Sequence, residues 1–169
     1  LISQHADSMG APTACENAGV PNVSYNGSTV DACPNTFIVS SRINWAPYFE
    51  YMITCVANGE KIAADWTGTI ATGSVVLTEL NDKVVAPGTA EAIEEATKKL
   101  ENGELFVFDC STFTVDGQAI TSYMADVDTD AAYTGDTEVV ENGAFQESVK
   151  RSAPYFDLKI DGINPLNTA

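Results

Sequence analysis

Two rhythms of apolar and polar positions alternate along the chain. Leu1 and Ile2 read as the end of a buried strand, and the polar His5 to Ser8 follows as a loop. Ala11 to Ala18 predicts a helix, with Gly19 where a helix C-terminal glycine belongs. Val20 to Tyr25 is a β-prone run entered through Pro21 and closed by Asn26-Gly27-Ser28, and Phe37-Ile38-Val39 is another. From Trp45 the apolar positions Tyr48, Phe49, Met52, Ile53 and Val56 recur at helical spacing until Asn58-Gly59 stops them. This order of strands and helices predicts an α/β fold with a parallel sheet covered by helices.

Further on, Gly73 to Thr78 predicts a strand. Thr89 to Leu100 predicts a helix with Ile93, Ala96, Thr97 and Leu100 on one face and Glu94–Lys98 and Glu95–Lys99 pairs on the other. Gly103 ends that helix, and Leu105 to Phe108 predicts a strand. Phe113 to Val115 and Ala119-Ile120 flank Asp116-Gly117, the signature of a hairpin on a type I′ turn. Beyond Tyr123 the chain is polar and acidic, with weak β signals at Val139-Val140 and Phe156 to Ile160.

Composition narrows the functional classes. The 169 residues carry 24 Asp and Glu against 8 Lys and Arg, a formal charge of −16. Such a field repels phosphate backbones and anionic headgroups, so nucleic acid and bare membrane surfaces are poor partners. No apolar run approaches the length of a membrane span, and no signal peptide is evident. The opening Leu1-Ile2-Ser3-Gln4 suggests a strand cut short, hence a fragment of a longer protein.

Four cysteines, Cys15, Cys33, Cys55 and Cys110, lack metal-site spacing, and His5 is the single histidine, which argues against zinc. Cys15 and Cys55 fall in helical patterns as buried thiols, and Cys15 with Cys33 is the first disulfide to consider. Asp126, Asp128 and Asp130 space like the first ligands of a calcium loop, but Ala131 stands at its sixth position and Thr137 at its twelfth. A solvated acidic connector is the simpler reading. No nucleophile elbow, papain-like cysteine context or phosphate-binding glycine loop is present, so nothing in the sequence supports an enzyme.

In open α/β sheets, ligands bind beyond the carboxyl ends of the strands. There the sequence places Gln4, His5 and Asp7, then Asn26 and Ser28, then Arg42, Asn44 and Trp45. They are the polar and aromatic mixture a small-molecule pocket requires. Trp45 reads equally as core packing or as a stacking face for a flat ligand.

Taken together, Ile2 to Ser8, Val23 to Asn26 and Asn44-Trp45-Ala46-Pro47-Tyr48-Phe49 resemble the basic membrane protein family, solute-binding lipoproteins of ABC transporters for purine nucleosides and related compounds. The segment Arg151 to Ile163 also resembles one branch of it. The resemblance implies the C-terminal portion of a type I periplasmic-binding-protein fold. Residues 1–72 would form the second-lobe α/β core, 73–110 a hinge crossing with a β-α piece of the first lobe, and 111–169 a C-terminal hairpin and acidic extension. It further implies an extracellular lipoprotein without cofactor, partnered by a membrane permease and by the missing N-terminal half. Ser28 stands where nucleoside-binding members place an aspartate, and Ile43 where they place a lysine, with Arg42 adjacent. Those departures shift the expected ligand from a ribose toward a purine base or similar uncharged heterocycle, held by Gln4, His5, Asp7, Asn44 and Trp45. The competing expectation is a surface interaction module with a vestigial cleft.

Overall fold

The computed structural model describes residues 1–128, 131–150 and 158–164. The chain divides into two compact units, Leu1–Glu101 and Asn102–Ala169, where the sequence suggested boundaries near 72 and 110.

The first unit is mixed α/β. Its elements are β1 (Ile2–Ser3), α1 (Gly10–Ala18), β2 (Asn22–Tyr25), β3 (Phe37–Ile43), α2 (Ala46–Asn58), β4 (Val75–Leu77) and α3 (Thr89–Glu101). The strands form one sheet in the order β1-β2-β3-β4. β1, β2 and β3 are parallel, as their hydrophobic pattern predicts, and one extra residue of β3 is accommodated between the Asn22–Phe37 and Ser24–Ser40 pairings. β4 departs from that expectation by running antiparallel to β3. The cause is local to its entry. The Asn44 N–H donates to the Ser74 carbonyl at 2.8 Å and Asn44 Nδ2 to the Gly73 carbonyl at 2.9 Å, so the start of β4 is fastened beside the end of β3.

Both early helices end alike. Gly19 and Gly59 adopt left-handed φ of 65° and 70°, and the next residues, Val20 and Glu60, donate back to the carbonyls of Cys15 and Cys55. Gly19 thus ends α1 where the sequence predicts.

The core of this unit is unusually polar. Phe37, Val39, Pro12 and Cys33 are buried together with Asn22, Ser24, Thr29, Thr36 and Ser40. Asn22, fully buried, donates from Nδ2 to Thr36 Oγ1 at 3.1 Å, and the Thr36 hydroxyl donates to Glu16 Oε2 at 2.9 Å. Cys15 and Cys33, the first disulfide to consider, are not bonded to each other. All four cysteines are free and buried, and Cys33 instead points its thiol at the Thr29 carbonyl, 3.1 Å away, with Asn22 Oδ1 at 3.9 Å.

The stripe Phe49, Ile53, Val56 of α2 faces outward, at 50%, 68% and 69% exposure, and Cys55 is the one buried residue of that helix. α3 forms with both predicted ion pairs, at 2.5 Å and 2.6 Å.

The second unit contains a 3-10 turn (Cys110–Thr112), β5 (Met124–Ala125), β6 (Thr137–Glu138), β7 (Val140–Glu141), β8 (Ala144–Phe145) and α4 (Glu147–Lys150). β5 pairs with β6 and β7 with β8, both antiparallel. Cys110, Ala125, Val139, Val140 and Phe145 form its core, with Phe113, Tyr123 and Leu158 against it. The predicted hairpin closes at Asp116-Gly117, both at positive φ, through a single Val115–Gln118 bridge. Leu105 to Phe108 is not a strand. Leu105, Phe106 and Val107 are exposed, and pairing begins at Phe108, whose carbonyl accepts the Phe145 N–H at 3.1 Å, and Asp109, which bridges Ala144. Without a neighbouring strand a β-prone run has nothing to pair with. Of the expected Phe156 to Ile160 run, Ile160 bridges Val115, while 156 and 157 lie outside the described residues, as does the 151–157 part of the Arg151–Ile163 resemblance.

Candidate ligand-binding site

The carboxyl ends of β1, β2 and β3 lie along one edge of the sheet, and most of the predicted site residues follow them directly. Gln4 continues β1 by donating its N–H to the Val23 carbonyl at 3.2 Å, and its Oε1 accepts the Ala6 N–H at 2.8 Å. That side chain closes its own loop. His5 stacks on Tyr25 with centroids 4.2 Å apart and planes at 22°. Asn26, at φ 66°, ends β2 and donates its N–H to the Ser41 carbonyl at 2.6 Å. The Ser28 hydroxyl oxygen accepts the Val30 N–H at 3.3 Å, a local turn contact. Asp7 is exposed in the loop before α1. Arg42 belongs to β3 itself, opposite Val76 of β4, and is exposed.

Two of the eight predicted residues do share a cavity. Asn44 and Trp45, with Ile43, Tyr48, Trp66, Gly68, Ser74 and Val75, line a hollow of about 270 Å³. Asn44 shapes it by bonding three ways, through its N–H to Ser74, through Nδ2 to Gly73 and through Oδ1, which accepts the Ala46 N–H at 3.3 Å and steadies the start of α2. Pro47 in the first turn of α2 suits this entry, because its fixed φ fits a helix start and no donor is lost there. An adjoining hollow of about 300 Å³ is lined by Trp45, Tyr48, Ala63, Ala64, Asp65 and Trp66. Gln4, His5, Asp7, Asn26, Ser28 and Arg42 line neither.

The aromatic wall is a continuous cluster. Trp45 meets Tyr48 edge-on at 6.4 Å, Tyr48 meets Trp66 at 5.2 Å, and Tyr51 meets Trp66 at 6.5 Å. Tyr51 also accepts the Ala63 N–H on its hydroxyl at 2.8 Å, tying the segment after α2 back to that helix. Gly68 permits the close approach that holds Trp66. A Cβ there would lie 2.4 Å from Ser74 Cβ and 2.8 Å from the Trp66 ring.

Asp65, Trp66, Gly68 and Ser74 therefore line these hollows without being singled out by the sequence pattern, and Tyr48, part of the Asn44 to Phe49 motif, joins them. The available signal was Trp66, one of two tryptophans, sitting in an aperiodic stretch where core packing does not account for it.

Chemically, the arrangement offers aromatic faces, backbone and amide polar groups, and one carboxylate. Among the described residues no group of three His, Cys, Asp or Glu side chains could hold a metal ion. Of the candidate calcium ligands, Asp126 and Asp128 are described and Asp130 is not. No described helix is long and apolar enough to cross a membrane.

No protein-family model matches the chain, and no curated protein sequence matches it.

Proposed function

We propose that this chain is a solute-binding portion of an ABC-transporter receptor of the basic membrane protein type, with a type I periplasmic-binding-protein fold. In this reading it takes a purine base, nucleoside or similar heterocycle and breaks no bond. The observation that carries the proposal is the pairing of Asn44 with Trp45 in one hollow at the carboxyl edge of parallel strands, where open α/β sheets hold their ligands. An indole supplies a rigid stacking face and the neighbouring amides supply orientation. A second lobe would form the opposite wall, closing over the ligand before delivery to a membrane permease, and a lipid anchor would keep the receptor outside the cell.

A thermal-shift screen of purines, pyrimidines, nucleosides, sugars and amino acids tests this reading. Stabilisation by purine-type compounds is the expected result. A response confined to sugars or amino acids overturns it.

A non-catalytic interaction module is the second reading, favoured by the outward-facing Phe49, Ile53 and Val56 of α2. Retention of full partner binding by a Phe49→Ser, Ile53→Ser double variant would discard it.

A further inference from the structure

The hollow beside Asp65 has a chemistry that a flat neutral ring does not use. We propose that Trp45, Tyr48, Trp66 and Asp65 form a subsite for an organic ammonium cation of about the size of choline. This goes beyond the heterocycle reading, since it rests on Asp65 and on the mutual tilt of the rings.

Ring geometry is the first ground. Trp45 stands at 64° to Tyr48, and Trp66 at 46° to Tyr48, with centroid separations of 6.4 Å and 5.2 Å. A flat heterocycle needs only the one indole face of Trp45 in the neighbouring hollow, whereas the inclined rings around this one leave room for a rounded, tetrahedral group. An aromatic ring carries a negative π-face, which attracts a cation within about 6 Å of the centroid, most strongly for tryptophan.

Charge is the second. Asp65 lines the same hollow as the three rings. Its carboxylate complements a cation, and the formal charge of −16 raises the local concentration of cations generally. The positive end of α2 near Ala46 opposes this, but it amounts to about half a charge and falls off within a turn. An inorganic cation is disfavoured, since it needs several oxygen ligands and no such acidic cluster exists among the described residues. An alkylated ammonium is weakly hydrated and can exchange water for aromatic faces.

Both tryptophans of the chain, Trp45 and Trp66, line this hollow, so intrinsic fluorescence reports on it directly. The test titrates the full chain with choline chloride, with its neutral isostere 3,3-dimethylbutan-1-ol, and with sodium chloride as the salt control. Saturable fluorescence change with choline, binding at least about tenfold tighter than the neutral alcohol, is expected, and Asp65→Asn should weaken choline about tenfold. An unchanged far-UV circular dichroism spectrum and urea midpoint confirm that the variant keeps its fold, and Asp65→Glu should restore part of the affinity. Equal affinity for the alcohol and choline, an unsaturable response, or insensitivity to Asp65→Asn overturns the subsite. Adenine titrated in parallel separates the two readings. Adenine binding without choline binding overturns the cation subsite alone, and choline binding without any purine response overturns the heterocycle assignment alone.

Discussion

Asn44 and Gly73 are joined by a 2.9 Å hydrogen bond from Nδ2 to the backbone carbonyl, which sets the direction of the edge strand and one wall of the cavity together. The same side chain accepts the Ala46 N–H, so a single amide links the end of β3, the start of α2 and the entry to β4. Asn44→Ala removes both contacts and should cost about 1–3 kcal/mol, and Asn44→Asp should lose at least as much, because it keeps the acceptor toward Ala46 but sets a carboxylate oxygen against the Gly73 carbonyl. Urea unfolding measures this. A change below about 0.3 kcal/mol, well under the value of one buried hydrogen bond, would show that the amide does not hold β4 in place.

The polar core makes a second, independent prediction. Thr36 receives from Asn22 and donates to Glu16, and Asn22 has no access to water. Thr36→Val keeps the shape but strands the Asn22 amide, so a loss of about 1–3 kcal/mol is expected. The Asn22→Leu, Thr36→Val double variant should lose less than the sum of the single changes, because both partners then become apolar. Strict additivity in a double-mutant cycle would refute the coupling.

What the sequence revealed follows from the range of the interactions involved. α1, α2, α3 and the parallel strands were legible because their apolar periods and terminal glycines are local signals. The direction of β4 was not, since it depends on Asn44 reaching residues nearly thirty positions away. The stripe on α2 was read correctly as a stripe, but periodicity does not say what covers it, and Phe49 and Ile53 face outward. Asn44 and Trp45 are legible as lining residues of the hollow because strand ends locate them, whereas Trp66 and Asp65 come from an aperiodic segment whose placement rests on Tyr51 and Gly68. The state of Cys33 stays open in the sequence because an even cysteine count carries no information about whether a threonine carbonyl lies within reach of the thiol.

Acid sensitivity should concentrate in the second unit. Glu138 accepts from the Ser122 hydroxyl and from the Tyr123 and Val140 N–H groups, and these bonds lower its pKa from 4.5 to about 2. A carboxylate with a depressed folded pKa stabilises the fold fully above its unfolded value. That contribution fades as pH falls from about 4.5 to about 2. Near-UV circular dichroism should show the loss in this window, and Glu138→Gln should be less stable at pH 7 yet flatter on acidification. Parallel acid limbs for the two proteins would rule out Glu138 as the group responsible.

The thiols give a count that needs no mutation. Cys15, Cys33, Cys55 and Cys110 are all free and buried, and burial, with the Asp109 charge adding to it, raises the Cys110 pKa. Ellman's reagent should therefore react slowly with the native chain and label four thiols in denaturant without reductant. A count of two would mean that one pair has oxidised, and peptide mapping would show whether it is Cys15 with Cys33.

Gly68 offers the sharpest probe of the cavity because its missing side chain is what lets Trp66 and Ser74 approach. In Gly68→Ala the new methyl would sit 2.4 Å from Ser74 Cβ and 2.8 Å from the indole, distances no packed carbon tolerates. Ser74 is buried and directly precedes β4 under the hold of Asn44, so it has little room to retreat; the backbone at residue 68 must give way to it, and the indole of Trp66 must swing as well. Overpacking of this kind costs about 1–3 kcal/mol. The variant should thus show a modest drop in urea midpoint, a shifted tryptophan emission maximum and weakened binding of any ligand enclosed by Trp45, Tyr48 and Trp66. Trp66→Phe relieves the contact with the indole but leaves the clash with Ser74, so it should recover only part of the stability in the Gly68→Ala background and should not restore affinity. Unchanged emission together with unchanged stability in Gly68→Ala would mean that the indole does not rest against residue 68, and the cavity would then lack the wall that makes it a site.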